Sequence, residues 1–347
     1  KNLLLYASNV LTTSLSLSEE TISLSGIAAK IGESEFGGDL KLLIQAEKLL
    51  LSGKLTANTI QANDFRSSEP DITSNDTPID SPDTPSSSGT FASQTGLDAI
   101  DIDLELAVNR LLYDATDLGT MAFSAKLKDG HLSLAPFQAK SFGGMISANL
   151  TLDGNHPAPI VTFDIKSQGL NYGQALQAFD VTSQIAGSSY LDIAIRGQGA
   201  TLQEFLDHTT LSINAGPSSL MLGNEGNSDN VIFGIRQASV KAAPGETVKA
   251  RLQGKFREKA IDVELVTGFL SELISPAKPW AISLLARTDD AVLTIKGGMR
   301  SEPEGMQVAL AVSLSGQQLN RLDPNLPPSG PYVFRAQLIN SGSQYFL

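Results

Sequence analysis

The side chains that could perform chemistry are few and widely spaced in this chain. Its three histidines, His131, His156 and His208, lie far apart and lack the i, i+4 spacing that places two metal ligands on one helix face. There is no cysteine, which excludes thiol catalysis, disulfides and zinc–thiolate sites. No G-x-S-x-G nucleophile elbow occurs. We therefore expect no metal, no cofactor and no enzymatic activity.

Two groups of carboxylates are the remaining candidates for a site. Asp101, Asp103 and Glu105 share one face of a predicted strand, and Asp289 stands beside Asp290. Paired carboxylates serve glycosidases, and clustered ones bind Ca²⁺. The first group, however, reads as the polar face of a strand flanked by isoleucines and leucines, and the second as a hairpin tip. We expect neither group to form a site.

Composition limits the class of partner. Hydrophobic residues make up 41% of the 347 residues, which is enough to build a core. The net charge is −12, and an acidic surface argues against binding nucleic acid, whose phosphates need clustered Lys and Arg. The same charge argues against electrostatic docking to anionic lipid headgroups, but not against binding lipid tails.

The elements that would position any site are mostly strands, because apolar and polar residues alternate with the period of a half-buried strand. Asp129-Gly130 favours a tight hairpin, since both residues tolerate positive φ. Asp153-Gly154-Asn155 and Glu304-Gly305 favour similar turns. Hairpins make neighbouring strands antiparallel, and we expect roughly 15 to 20 strands of the usual length. The clearest alternating stretches are 121–127, 132–134, 146–152, 191–195, 261–265, 282–286 and 308–314.

Short helical turns interrupt the strands in a recurring form, in which a glycine precedes Leu or Phe at helical spacing. The glycines are Gly173, Gly199, Gly268 and Gly316. A helix of two turns is too short to stand alone in water, so each must lay its apolar side on the rim of the sheet. The recurrence indicates a repeating architecture. The alternative is four unrelated connections in a large β protein.

A second echo is the tripeptide Phe36-Gly37-Gly38, which returns as Phe142-Gly143-Gly144. Two adjacent glycines within a strand pattern indicate a bulge or a sharp bend. Such bends let a wide sheet curl.

The clearest boundary is the stretch 66–97, which is dense in Ser, Pro, Asp and Thr. This composition predicts a disordered linker between residues 1–65 and the main body, which we divide at residue 225 into 98–225 and 226–347. The last segment, from Pro331 to Leu347, reads as an unfinished strand. Because it ends on three apolar residues, we expect a piece of a longer chain; the alternative is a native C-terminal strand.

Part of the sequence, from Leu104 to Leu222, resembles the conserved C-terminal region of the AsmA family of Gram-negative bacteria. The matching segments are LYDATDLGTMAFSAKLKDGHLSLAPFQAKSFGGMISANLTLDG, APIVTFDIKSQGLNYGQAL and YLDIAIRGQGATLQEFL. Residues 226–347 resemble a further repeat of the larger AsmA-like proteins, and residues 1–65 resemble the end of such a repeat.

The resemblance implies a mainly β fold: an elongated, curled antiparallel β-sheet with an apolar interior and short helical turns at its rim. It implies a periplasmic protein, held at the inner membrane by a segment outside this chain, that binds phospholipid or another acyl-chain lipid. It further implies a role in phospholipid transfer to the outer membrane and in outer-membrane assembly. The family offers no catalytic residues to carry over.

Alternating residues on strands in the family-like region are the expected lining of an apolar groove. They are Leu127, Leu134, Leu150, Phe163 and Ile193. Alternation alone favours a closed β-sandwich or β-helix in which such residues are only core, and the resemblance favours the groove. Two other functions stay open: a scaffold or assembly factor without lipid, and a carbohydrate-active or adhesive β protein. The single tryptophan, Trp280, counts against the last.

Overall fold

The computed structural model describes residues 10–44, 48–65, 100–179, 185–222, 231–256, 259–274, 279–302, 305–322, 326–341 and 344–346. The predicted linker 66–97 lies outside these residues, as does Glu304 of one predicted turn. The predicted limits at residues 65, 97 and 225 stay predictions.

The predicted fold class is confirmed: the chain is mainly β, and its strands form antiparallel sheet with few helices. The strands of the first part are β1 Val10–Leu17, β2 Thr21–Ile31, β3 Ser34–Ile44, β4 Leu49–Gln61, β5 Ile100–Tyr113, β6 Thr116–Lys128, β7 His131–Ser141, β8 Gly144–Asp153 and β9 Ile160–Asn171. Those that follow are β10 Ile185–Ala186, β11 Ser188–Gln198, β12 Thr210–Ala215, β13 Ser218–Leu222, β14 Val231–Ala242, β15 Thr247–Phe256 and β16 Lys259–Phe269. The last are β17 Trp280–Arg287, β18 Ala291–Glu302, β19 Gly305–Gly316, β20 Tyr332–Ser341 and β21 Gln344–Phe346.

The helical segments are short, and each follows a strand. They are α1 Tyr172–Ala178, α2 Leu202–Asp207, α3 Leu319–Leu322 and the 3-10 turns Ala62–Phe65 and Leu270–Ile274. All four glycine-associated turns predicted from the sequence are present. Asn171 is the N-cap of helix α1. Its side chain accepts a hydrogen bond from the Gln174 amide at 3.0 Å and so satisfies a donor that has no partner within the helix.

Contacts between Cα atoms divide the chain into two compact units. Unit 1 comprises Lys1–Ser141, Asn149–Ile160 and Ala200–Leu202, and unit 2 comprises Phe142–Ala148, Val161–Gly199 and Gln203–Leu347.

In unit 1, strands β1 to β7 pair in chain order, and one pairing departs from the antiparallel expectation. Strands β4 and β5 run parallel, with Leu51 beside Ile102. The connection between them spans 62–99, which is long enough for the crossover that parallel neighbours require. The Asp129-Gly130 hairpin is confirmed between β6 and β7, and both residues have positive φ.

In unit 2, strands pair antiparallel in the order β11, β12, β14, β15, β16, β17, β18, β19, β20. Short strands β10 and β13 pair with each other, and β13 also pairs with β14. The segment read as an unfinished strand forms β20 and β21, which pair with each other.

The two Phe-Gly-Gly tripeptides have different structures. Gly37 and Gly38 lie inside β3, where Gly38 has φ +141° and the register with β2 shifts nearby. Phe142 and Gly143 form the turn between β7 and β8. The second tripeptide therefore begins in a turn between two strands rather than at a bend within one strand.

Candidate functional site

The registers of unit 2 place one uninterrupted row of apolar side chains across nine strands. Directly paired residues of an antiparallel sheet share a face, so the row follows from the pairing alone. Its members, in spatial order, are Ile193, Ile213, Val240, Ala250, Leu265, Leu284, Ile295, Val312 and Ala336.

A second apolar row lies beside the first, two residues along each strand. It comprises Leu191, Ala215, Ala238, Leu252, Val263, Ala286, Leu293, Leu314 and Phe334. We call the surface formed by these two rows the apolar face of unit 2.

Partial burial distinguishes this face from an ordinary core. No side chain in either row is buried; all are half-buried except Ala336 and Phe334, which are exposed. The largest fully buried side chain anywhere in the described residues is Val108, in unit 1. A filled core would bury its large residues completely. The apolar face therefore retains surface that a ligand or partner can cover.

The opposite face of the same strands is polar. Its central row contains eight polar or charged residues and one leucine: Asp192, Asn214, Ser239, Arg251, Glu264, Leu285, Thr294, Ser313 and Arg335. The apolar and polar residues that alternate along the sequence therefore lie on opposite faces of the sheet.

Unit 1 repeats the pattern on a smaller scale. One row is Ile22, Leu42, Leu51, Ile102, Leu127 and Leu132. The next is Leu15, Leu24, Leu40, Gly53, Leu104, Ala125 and Leu134.

The five residues predicted to line a groove all lie on strands, but not in one row. Leu127 and Leu134 lie in the apolar rows of unit 1, where Leu127 is 4% exposed. Ile193 begins the first row of unit 2. Leu150 on β8 and Phe163 on β9 are half-buried. That these five residues contact a ligand stays a prediction.

Two aromatic residues close the ends of the apolar face. Gly197 continues the face beyond Ile195, and a Cβ atom at this position would collide with the Phe205 ring of α2. Gly316 pairs with Tyr332, and a Cβ atom there would collide with the Tyr332 ring. The glycines thus make room for the two rings. Phe205 belongs to the short helix α2, whereas Tyr332 lies on strand β20.

Sequence reasoning did not place Trp280 in a site. It pairs with Met299 on the same face as Ile282 and Leu284, and its indole N–H is buried without an acceptor among the described residues. The signal was present in the spacing of 280, 282 and 284 along one strand. Trp280 is the only tryptophan of the chain, so its fluorescence reports on this face alone.

Two of the histidines, His131 and His156, are closer together than their spacing suggested. His131 and His156 place Nδ1 at 3.3 and 3.2 Å from the two oxygens of Asp153, so the β6–β7 hairpin and the β8–β9 connection meet there. The third histidine, His208, places Nδ1 2.8 Å from the Glu204 carbonyl oxygen. Among the described residues, no group of three His, Cys, Asp or Glu side chains could hold a metal ion.

Three of the candidate carboxylates, Asp103, Glu105 and Asp290, form ion pairs. Glu105 lies 2.8 Å from Lys54, whose hydrogen bond and positive charge lower the pKa of Glu105. Asp103 lies 3.9 Å from Lys126. Asp289 and Asp290 form the predicted hairpin tip between β17 and β18. These positions match the polar strand face and the turn expected from the sequence.

A family model decides the assignment. The model of the AsmA family matches residues 8–265, which is well over half of the chain and wider than the resemblance from Leu104 to Leu222. The chain belongs to the AsmA family. Neither the curated proteins nor the solved structures contain a match to this AsmA-family chain.

Membership places the chain with proteins associated with the cell envelope. Within the described residues of this AsmA chain, no helix has the length and apolarity needed to cross a membrane.

Proposed function

We propose that this AsmA-family chain binds acyl chains of phospholipid along the apolar face of unit 2. By doing so it supports phospholipid transfer between the inner and outer membranes and the assembly of the outer membrane. The observation that carries the proposal is the nine-strand apolar row, none of whose side chains is buried.

The dimensions and chemistry of the face support a lipid ligand. Eight inter-strand spacings of about 4.8 Å give the row a path of roughly 40 Å along the sheet surface. This exceeds the ~15 Å that the acyl chains of one leaflet span. Each CH₂ removed from water contributes about 0.8 kcal/mol. Because hydrophobic contact is non-directional, a chain held in this way can still slide along the row.

The composition of the two apolar rows supports a non-catalytic role. The two rows contain only carbon side chains, so they offer neither a nucleophile nor a general acid or base. We propose that the chain carries its ligand without changing it, in the periplasm, and without a metal or nucleic acid partner. Attachment to the inner membrane through another segment of the protein belongs to the same proposal.

Native mass spectrometry of protein purified from cells tests the proposal directly. We expect phospholipid masses bound to the folded chain. Phospholipids with brominated acyl chains should then quench Trp280 fluorescence, because the indole lies on the apolar face beside Met299. A lipid-free protein whose tryptophan is not quenched would leave the scaffold function standing instead.

A further inference from the structure

The cations of unit 2 lie largely on its polar face, although the whole chain has a net charge of −12. Three of those that the structure describes have a carboxylate partner. Arg251 lies 2.9 Å from Asp262, and Lys249 lies 3.3 Å from Glu246. Arg196 of β11 similarly approaches Asp164 to 3.5 Å.

Lys296 and Arg335 are different. Both are exposed, and neither forms an ion pair or a side-chain hydrogen bond with any residue that the structure describes. They line one depression of about 460 Å³ on the polar face of β18, β19 and β20. Strand β19 lies between β18 and β20. Two inter-strand spacings and an offset of two residues separate the backbones of Lys296 and Arg335 by about 12 Å, a distance that two long side chains can close around one small ion.

The other polar side chains of this depression offer hydroxyl and amide donors. Thr294 pairs with Ser313, and Ser313 pairs with Arg335, so the three form one cross-strand row. Gln337 lies in the next row, which also contains Lys296. No carboxylate lines the depression. All of its charged groups are positive, which is the arrangement that an anion neutralises.

We propose that Lys296 and Arg335, with Thr294, Ser313 and Gln337, form a binding site for a phosphate group. Arg presents two parallel N–H donors that match phosphate oxygens, Lys adds a compact positive charge, and the hydroxyls and the amide bind the remaining oxygens. The site lies on the face opposite the apolar rows, so it is independent of acyl-chain binding. The phosphate is either free in solution or part of a headgroup at a bilayer surface.

Calorimetric titration with inorganic phosphate, at an ionic strength held constant with chloride, tests the site. The double variant Lys296→Gln with Arg335→Gln should weaken phosphate binding at least tenfold, and each single variant at least threefold. Lys296→Arg retains the positive charge and should bind within about twofold of the parent. The control is Lys249→Gln, which removes a cation on the same face that already has a carboxylate partner and should leave binding unchanged.

A second arm identifies the source of the phosphate. Vesicles of phosphatidylglycerol in phosphatidylcholine should bind the parent chain and release the double variant if the phosphate belongs to a headgroup. Phosphate binding without vesicle binding assigns the site to a free anion. Two results overturn the proposal: no binding of inorganic phosphate at millimolar concentration, or an equal loss in the Lys249→Gln control, which would indicate a diffuse positive field.

Discussion

Leu284 and Leu285 are neighbours on β17 and point to opposite faces of the sheet. Leu284 pairs with Leu265 and Ile295, whereas Leu285 pairs with Glu264 and Thr294. Both side chains are half-buried, so they differ in their surroundings far more than in exposure. Substituting Asp at each of the two positions therefore distinguishes a charge on the apolar face from a charge elsewhere on β17.

A charge on the apolar face should be tolerated better than one in a closed interior. We expect Leu284→Asp to lower the free energy of unfolding by about 1–3 kcal/mol, because water reaches a half-buried carboxylate. Val108→Asp, at a side chain only 2% exposed, should cost more than about 4 kcal/mol or prevent folding. Urea unfolding measures both. Equal losses would mean that the apolar face is a closed core.

Gly297 should be intolerant of any side chain. Its φ is +155°, and a Cβ atom would collide with the Ala309 carbonyl oxygen on β19. We expect Gly297→Ala to cost about 2 kcal/mol or more, since strain and a backbone clash add. The matched control is Gly298→Ala, where the nearest atom, the Trp280 carbonyl oxygen, is at an ordinary 3.4 Å. Thermal melting should show a clear fall in Tm only for Gly297→Ala. Similar falls in Tm for the two variants would contradict a backbone constraint specific to Gly297.

Asp64 ties the 3-10 turn after β4 to the β2–β3 hairpin. One of its oxygens accepts hydrogen bonds from the Glu33 and Ser34 amides, both at 3.0 Å, and from the Ser34 hydroxyl at 2.6 Å. Ser34 is fully buried, so Asp64→Ala leaves its donors unsatisfied and should cost about 2–3 kcal/mol. Asp103→Ala, at an exposed ion pair, should cost less than about 1 kcal/mol. Chemical denaturation that ranks the two variants in the other order would contradict this role.

Ionisation of Asp290 should make the free energy of unfolding depend on pH in the acidic range. Hydrogen bonds from Lys259, at 2.8 Å, and from Arg321, at 3.1 Å, lower the pKa of Asp290 in the folded chain. A lowered pKa contributes stability that is complete above the unfolded-state value near 3.9 and is lost as pH falls through the folded-state value. The loss of unfolding free energy caused by Asp290→Asn should therefore be largest at neutral pH and should shrink below about pH 4. Its exposed neighbour supplies the control, Asp289→Asn. A deficit that is constant with pH would exclude this titration.

The sequence predicted the strands because their signal is local. Met121, Phe123, Ala125 and Leu127 alternate with polar neighbours, and the structure places them on β6 as expected. The turn residues Asp129 and Gly130 were equally informative, since their conformational preference sets the hairpin.

The pairing of strands that lie far apart in the sequence could not be predicted from local alternation. Nothing in the alternation of β4 and β5 states that they pair in parallel, because pairing is decided after a long connection. The contacts of His131 and His156 with Asp153 were not predictable either, because they join segments that are separate in the sequence. The candidate site was predicted only in part: Ile193 was recognised, but the row beyond it depends on eight successive registers that no single stretch of sequence encodes.

The most direct test of the account compares lipid occupancy in Leu284→Asp and Leu285→Asp. Each variant, purified from cells in the same way as the parent chain, is examined by native mass spectrometry for bound phospholipid. We predict that Leu284→Asp loses most of the bound lipid, because a carboxylate interrupts the central apolar row, and that Leu285→Asp retains it. Equal occupancy in the two folded variants, or a parent chain without lipid, would contradict acyl-chain binding on this face.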